Sequence, residues 1–188
     1  MIWFTADAHL GHTNILKLCN RPFSNTEEMN SVIIQKWNAV VKPEDTIYVV
    51  GDFAYKNNAP IGKFCTVLNG HKHLILGNHD RLSTEQYKKF FESVQDVKYI
   101  KIKEQDIVLF HYPILSWRRR GRGSWHLYGH VHTAVLNVME SQKSYNVGVD
   151  TNDFQPISFD KLQEIMDKKI AKASDQMDRW HEPKAGTS

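Results

Sequence analysis

Apolar positions along the chain follow two rhythms. Ile2-Trp3-Phe4-Thr5, Thr46-Ile47-Tyr48-Val49-Val50 and His73-Leu74-Ile75-Leu76 are runs of four or five residues, too short for helices and rich in β-branched and aromatic side chains, so each predicts a buried strand. Between them the period lengthens. Met29, Val32, Ile33, Trp37, Val40 and Val41 recur with helical spacing until Pro43, and Ser24-x-x-Glu27 ahead of them reads as a capping box. Ile61, Phe64, Cys65 and Leu68 share one face of a shorter helix that starts near Pro60 and ends before Gly70.

After residue 97 the alternation becomes polar and apolar. Lys98-Tyr99-Ile100-Lys101-Ile102 and Ile107-Val108-Leu109-Phe110 predict a hairpin with one face toward solvent. Two further strands are expected around Ala134 to Met139 and Tyr145 to Val149, with a turn at Glu140 to Lys143. A last helix, capped by Ser158, places Leu162, Ile165, Met166 and Ile170 on one side. Beyond Asp175 the apolar repeat fades. The expected organisation is one α/β domain over residues 1–174, followed by a frayed tail over 175–188.

The strand ends collect the candidate chemistry. Asp7 and His9, Asp52, Asn78 with His79 and Asp80, His111, and His130 with His132 each stand at or just past the C-terminal end of an apolar run. In α/β sheets such loops converge, because the strands fix where their side chains point. In His130-Val131-His132 an extended backbone puts both imidazoles on one side, with about 6 to 7 Å between α-carbons at a rise of about 3.3 Å per residue. Carboxylates, imidazoles and an amide without a thiolate suit Mn2+, Fe or Zn2+ rather than a cysteine-rich structural zinc site.

Composition narrows the classes. The chain has 188 residues, ten of them histidine, and a net charge of +3, too small to mark a nucleic-acid binder by its overall field. Two cysteines, Cys19 and Cys65, make no disulfide framework. Without a signal-peptide pattern or a membrane-length apolar run, the expectation is a cytoplasmic protein that does not enter the membrane.

In this order, Asp7-x-His9, Gly51-Asp52, Gly77-Asn78-His79-Asp80, a lone His111 and Gly129-His130-x-His132 resemble the calcineurin-like metallophosphoesterases over about Ile2 to Asp160. The first loop, Asp7 to Ile15, looks closest to small bacterial and phage members. The resemblance implies an α+β four-layer fold, with two mixed β-sheets packed as a sandwich and flanked by helices. It implies a dinuclear metal centre: Asp7, His9, Asp52 and His132 for one ion, and Asp52, Asn78, His111 and His130 for the other, Asp52 bridging. Mn2+ is the expected metal, with Fe, Zn2+ or Ni2+ as alternatives. The run after the bridging aspartate, Phe53-Ala54-Tyr55-Lys56, departs from the commoner family pattern.

The activity so implied is phosphoester hydrolysis by a hydroxide between the two ions, phosphodiesters of nucleotide or nucleic-acid type favoured over monoesters. His79 is expected to stabilise the phosphoryl group or protonate the leaving oxygen, oriented by Asp80. Arg21, His12, Arg118, Arg119 and Arg120 are candidate contacts to a phosphorylated small molecule, nucleotide or nucleic acid. The arginines lie between His111 and His130, where their segment is expected to overhang the cleft. Two other readings remain on sequence grounds: a non-catalytic scaffold with the same fold, and a nucleic-acid binding module centred on the arginines.

Overall fold

In a computed structural model, which describes residues 1–55, 61–136, 139 and 142–169, the first three apolar runs become parallel strands β1 (Ile2–Thr5), β2 (Thr46–Val50) and β3 (His71–Ile75). β4 (Ser93–Gln95) continues the sheet in parallel on β3, and β9 (Ile157–Ser158) closes it antiparallel on β1, giving the order β4-β3-β2-β1-β9. The second sheet runs β5 (Val97–Ile102), β6 (Gln105–Phe110), β7 (Trp125–Tyr128) and β8 (Ser144–Asn146), with β5 antiparallel and the others parallel. Both sheets are therefore mixed.

Alternation along each strand builds two cores at once. Ile47 and Val49 of β2 and Leu74 of β3 face α2 (Thr26–Val40) and α3 (Ile61–Val67), while Phe4, Val50 and Ile75 point the other way. There they meet Ile107 and Leu109 of β6 and Trp125 and Leu127 of β7. This shared core is what stacks the sheets. Phe159, Leu162 and Met166 of α5 (Phe159–Asp167) fill its edge, and Val108, Trp117, Tyr128 and Met139 form a smaller cluster behind the second sheet.

In α2, Met29, Ile33 and Trp37 are the buried stripe, and the Trp37 indole N–H donates to Asn69 O at 3.0 Å. The cap sits one residue later than the capping-box expectation. Asn25, not Ser24, is the N-cap: its side chain accepts from Glu28 N at 2.8 Å, and Glu28 Oε2 accepts from Ser24 N at 2.6 Å. Asparagine thus caps the helix where serine was expected, and the Glu28 carboxylate satisfies the amide one residue ahead of the cap. Ser158 does cap α5, accepting from Lys161 N.

Residues 134–136 are loop, where a strand was expected; positions 137 and 138, Pro60, Ile170, the tail and the first two residues of the turn after Met139 lie outside the described residues. The strand expected from Tyr145 to Val149 stops at Asn146, because Val149 N turns to donate to Ala6 O at 3.0 Å and ties the chain to the end of β1. No helix among the described residues is long and apolar enough to cross a membrane.

His126 on β7 is fully buried with its two ring nitrogens facing carbonyls, Nδ1 3.3 Å from Val108 O and Nε2 3.1 Å from Tyr112 O. Only imidazolium can donate to both, yet burial pushes its pKa down from 6.5 to about 4. Between those values the unfolded chain binds a proton that the folded ring refuses, so stability falls as pH drops through this window. In urea melts of metal-free protein, wild type should lose about 3 kcal/mol more than His126→Gln between pH 7 and pH 4. Parallel losses in the two proteins would show that the ring is not held neutral.

Candidate metal centre

Every strand that contributes to the site does so at its C-terminal end, on one edge of the sandwich. The loop after β1 and the loop after β2 run side by side, with Asp7 N donating to Gly51 O at 3.0 Å, His9 N to Asp52 O at 2.9 Å and Leu10 N to Phe53 O at 3.1 Å. Asp7, His9, Asp52, His130 and His132 all have positive φ, between 48° and 71°. For non-glycine residues such backbone costs of the order of 1 to 3 kcal/mol each, and surrounding bonds must hold it.

Backbone also approaches the carboxylates too closely for side chains at three positions, one of them Gly148, where a Cβ would stand 2.7 Å from Asp7 Oδ2. A Cβ on Gly77 would stand 2.3 Å from Asp52 Oδ1, and one on Gly129 would stand 2.6 Å from Asp7 Oδ2. With no side chain there, the N–H of His79 reaches Asp52 Oδ1 at 2.8 Å and that of His130 reaches both oxygens of Asp7 at 3.0 Å.

Among the described residues three sets of donors lie close enough to share an ion, the ligand atoms of each set within 4.8 Å of one another: Asp7, His9 and His132; Asp7, Asp52 and His111; and Cys19, His132 and Asp150. Asp52 Oδ2 is 3.4 Å from His9 Nε2 and 3.5 Å from His111 Nε2, so one oxygen faces the first two sets. Asn78 Oδ1 lies 3.1 Å from His111 Nε2 and 3.0 Å from His130 Nδ1. All seven expected ligand residues are thus gathered in one place. The donors fit a divalent cation, and His9 Nε2 is a buried nitrogen with no hydrogen-bond partner.

The second nitrogen of three imidazoles is pinned, which sets the nitrogen they present. His111 Nδ1–H donates to Val50 O at 2.9 Å, His132 Nδ1 lies 2.7 Å from Asp150 Oδ2, and His9 Nδ1 lies 3.3 Å from His12 Nδ1. Burial drives His9 down to about 2, leaving it neutral with a lone pair free. Burial raises Asp7 to about 6 against the opposing pull of His111 and His132. Burial acts in the same direction on Asp52, but the hydrogen bond and charge of His111 prevail and hold it at about 2. The third set is already satisfied without an ion, since Arg21 takes both oxygens of Asp150 and His132 Nδ1 lies 2.7 Å from one of them.

Several expectations change. Asp80 does not orient the His79 ring: its buried carboxylate accepts from Gly77 N at 2.9 Å, Asp52 N at 2.8 Å and Phe53 N at 3.1 Å, fixing the two loops to each other. Arg21 is no substrate contact either. Its side chain has no exposure, and it binds Asp150 through Nε at 2.8 Å and Nη2 at 2.9 Å. The buried His12 ring is stacked on Tyr55 at 4.0 Å and turned toward His9, so it touches a candidate ligand where a substrate contact was expected.

The arginine segment lies elsewhere. Arg119 pairs with Asp106 at 2.7 Å, near the start of β6, and Arg120 bonds Gln142 at 2.9 Å, just before β8, whereas the candidate ligands stand at the other ends of the strands. Along β6 that separation is about 16 Å. Arg118 sits over the Tyr99 ring on β5. The segment does not overhang the cleft because Trp117 is buried behind the second sheet, its indole donating to Ser124 O. Sequence reasoning missed the part played by Asp150, although a carboxylate just past a short strand and Gly148 repeats the signal read at Asp52.

Two mixed sheets with this ligand-rich edge define a metal-dependent phosphoesterase, and the chain belongs to the calcineurin-like phosphoesterase superfamily, whose domain profile matches residues 2–157. It is similar to an uncharacterised protein of Methanocaldococcus jannaschii, 36% identical over 173 residues, spanning 89% of this chain and 92% of the archaeal one. It is also similar to the gene 66 protein of Mycobacterium phage L5, 26% identical over 79% of this chain and 86% of the phage protein. A crystal structure of a protein of unknown function from Aquifex aeolicus superposes with a TM-score of 0.72 at 29% identity, over 88% of this chain and 98% of that one.

The close approach at Gly77 gives a test. Gly77→Ala should displace Asp52, cost about 1 to 3 kcal/mol as overpacking does, and abolish most of the rise in melting temperature that Mn2+ gives the wild type. An unchanged Mn2+-dependent shift would show that Asp52 tolerates the added carbon.

Proposed function

We propose that this chain hydrolyses phosphodiesters, of nucleotide or nucleic-acid type, with two divalent cations, Mn2+ foremost and Fe, Zn2+ or Ni2+ as alternatives. The observation that carries the reading is the single oxygen, Asp52 Oδ2, set 3.4 Å from His9 Nε2 and 3.5 Å from His111 Nε2. Asp7, His9, Asp52 and His132 would hold one ion, and Asp52, Asn78, His111 and His130 the other. Two cations so held supply an activated water at neutral pH and positive charge for the phosphate oxygens.

The chain's own residues give the site a direction. Asp7 and His9 are buried, whereas Asn78 and His130 are exposed, so substrate approaches from the Asn78 and His130 side. His79 lies beside both sets, its ring 5.0 Å from that of His9 and its buried Nδ1 without a hydrogen-bond partner. Its role is to meet the phosphoryl oxygens or to give a proton to the leaving oxygen. Asp80 is a positioning residue, acting through the amides of Gly77, Asp52 and Phe53.

The pairing of the four candidate arginines supports a preference for diesters. A monoester dianion calls for more positive charge than a diester monoanion, yet Arg21 is consumed by Asp150 and Arg118 to Arg120 are engaged away from the metal donors. The same pairings leave the nucleic-acid module reading without support.

Metal-stripped protein refilled with Mn2+ should hydrolyse bis-p-nitrophenyl phosphate faster than p-nitrophenyl phosphate. Asp52→Asn should abolish the activity together with one or both bound ions, and His79→Ala should lower kcat by about 10² to 10⁴. Turnover that survives chelation, or that is unchanged in Asp52→Asn, contradicts the proposal.

A further inference from the structure

Arg21 is a wholly buried arginine with an unusual set of acceptors. Beyond its two bonds to Asp150, Nη2 donates to Asp7 O at 2.6 Å and Nη1 donates to Ala8 O at 3.0 Å. Asp7 and Ala8 form the first two positions of the loop whose ends, Asp7 and His9, both have left-handed backbone, at φ 56° and 49°. The guanidinium therefore clamps the carbonyls of a strained turn that carries two candidate ligands. Asp150, on the other side, shares Oδ2 between Arg21 Nη2 at 2.9 Å and His132 Nδ1 at 2.7 Å. That leaves His132 Nε2 as the nitrogen free to face Asp7 and His9.

We propose that Arg21 is the positioning residue of the Asp7, His9 and His132 set, holding the first two through their backbone and the third through Asp150. This inference rests on the reading of that set as a metal site.

The choice of residue supports it. Burying a guanidinium and a carboxylate loses hydration that apolar side chains of the same volume would not lose, so stability alone is weak reason to place the pair here. A planar fork can hold two carboxylate oxygens and two carbonyls in one fixed arrangement, which an ammonium group cannot. The three segments so joined, the loops after β1 and β8 and the segment between α1 (Ile15–Leu18) and α2, share no strand pairing through Arg21 itself. Without the fork, the backbone tie between the Asp150 turn and the loop that carries Asp7 is the Ala6 and Val149 contact.

The test is calorimetric titration of Mn2+ into metal-free wild type, Arg21→Lys and Asp150→Asn. Each variant should weaken one of the wild type's two sites by about ten- to a hundredfold and leave the other within a few-fold. Replacing Mn2+ by Co2+ should show altered visible absorption for the weakened site, a signature that lower fold stability alone does not produce. Should either single variant fail to fold, the pair Arg21→Met with Asp150→Leu, which leaves no buried charge unpaired, takes its place.

Folded variants that bind both ions with wild-type affinity, whatever their melting temperatures, overturn the proposal and leave Arg21 a structural residue. A wild type that binds one ion counts against the two-cation reading, and the inference is then judged on that ion's affinity in the variants. A wild type that binds none overturns both.

Discussion

Two carboxylates, Asp7 and Asp52, are buried next to each other with 0% and 2% exposure, and this is the arrangement on which the rest of the structure turns. Unpaired buried charges are among the costliest features a fold can hold, so they demand positive partners at fixed positions. The chain answers with N–H groups of His79 and His130 aimed at their oxygens and with imidazoles from three loops. Those partners reach the carboxylates only because both sheets deliver their parallel strands with the C-terminal ends on the same edge. A shared core of Phe4, Val50, Ile75, Leu109 and Leu127 keeps the two edges together.

The loops themselves are kept in left-handed conformations by groups behind the ligands. Asp80 gathers the amides of Gly77, Asp52 and Phe53, while Arg21 takes the carbonyls of Asp7 and Ala8. One is an acceptor serving donors and the other a donor serving acceptors, so the strained backbone is satisfied from both sides. Strain of this kind persists where surrounding structure over-determines it, and the site is where that condition is met.

Much of this was legible in the sequence, for definite reasons. Strands β1, β2 and β3 announce themselves because both their faces are buried, giving short continuous apolar runs, and each runs into a candidate ligand. β5 shows the period of two expected of a half-solvated strand, whereas Ile107, Val108 and Leu109 of β6 are all buried between two clusters, so the solvent face expected of the hairpin exists on β5 alone. By contrast α4 (Thr84–Tyr87), β4 and β9 span two to four residues, too few for any period to register. Arg21 reads as an exposed phosphate contact beside Pro22, since nothing local reveals a carboxylate 129 residues away. Arg118 to Arg120 mislead similarly: their segment is anchored at both ends near the site, but burial of Trp117 draws it down the outer face of the second sheet. Ser24 and Asn25 differ by one position because both residue types cap helices, and only the backbone decides between them.

On the two-cation proposal, the buried Asp52 carboxylate serves both cations and the buried Asp7 carboxylate serves one. A crystal of the protein grown with Mn2+ and measured at the manganese absorption edge tests it directly. Two anomalous peaks are expected roughly 3.5 to 4 Å apart, with Asp52 touching both, His9 and His132 on one and His111 and His130 on the other. A single peak, or two peaks with Asp52 bound to neither, would contradict it.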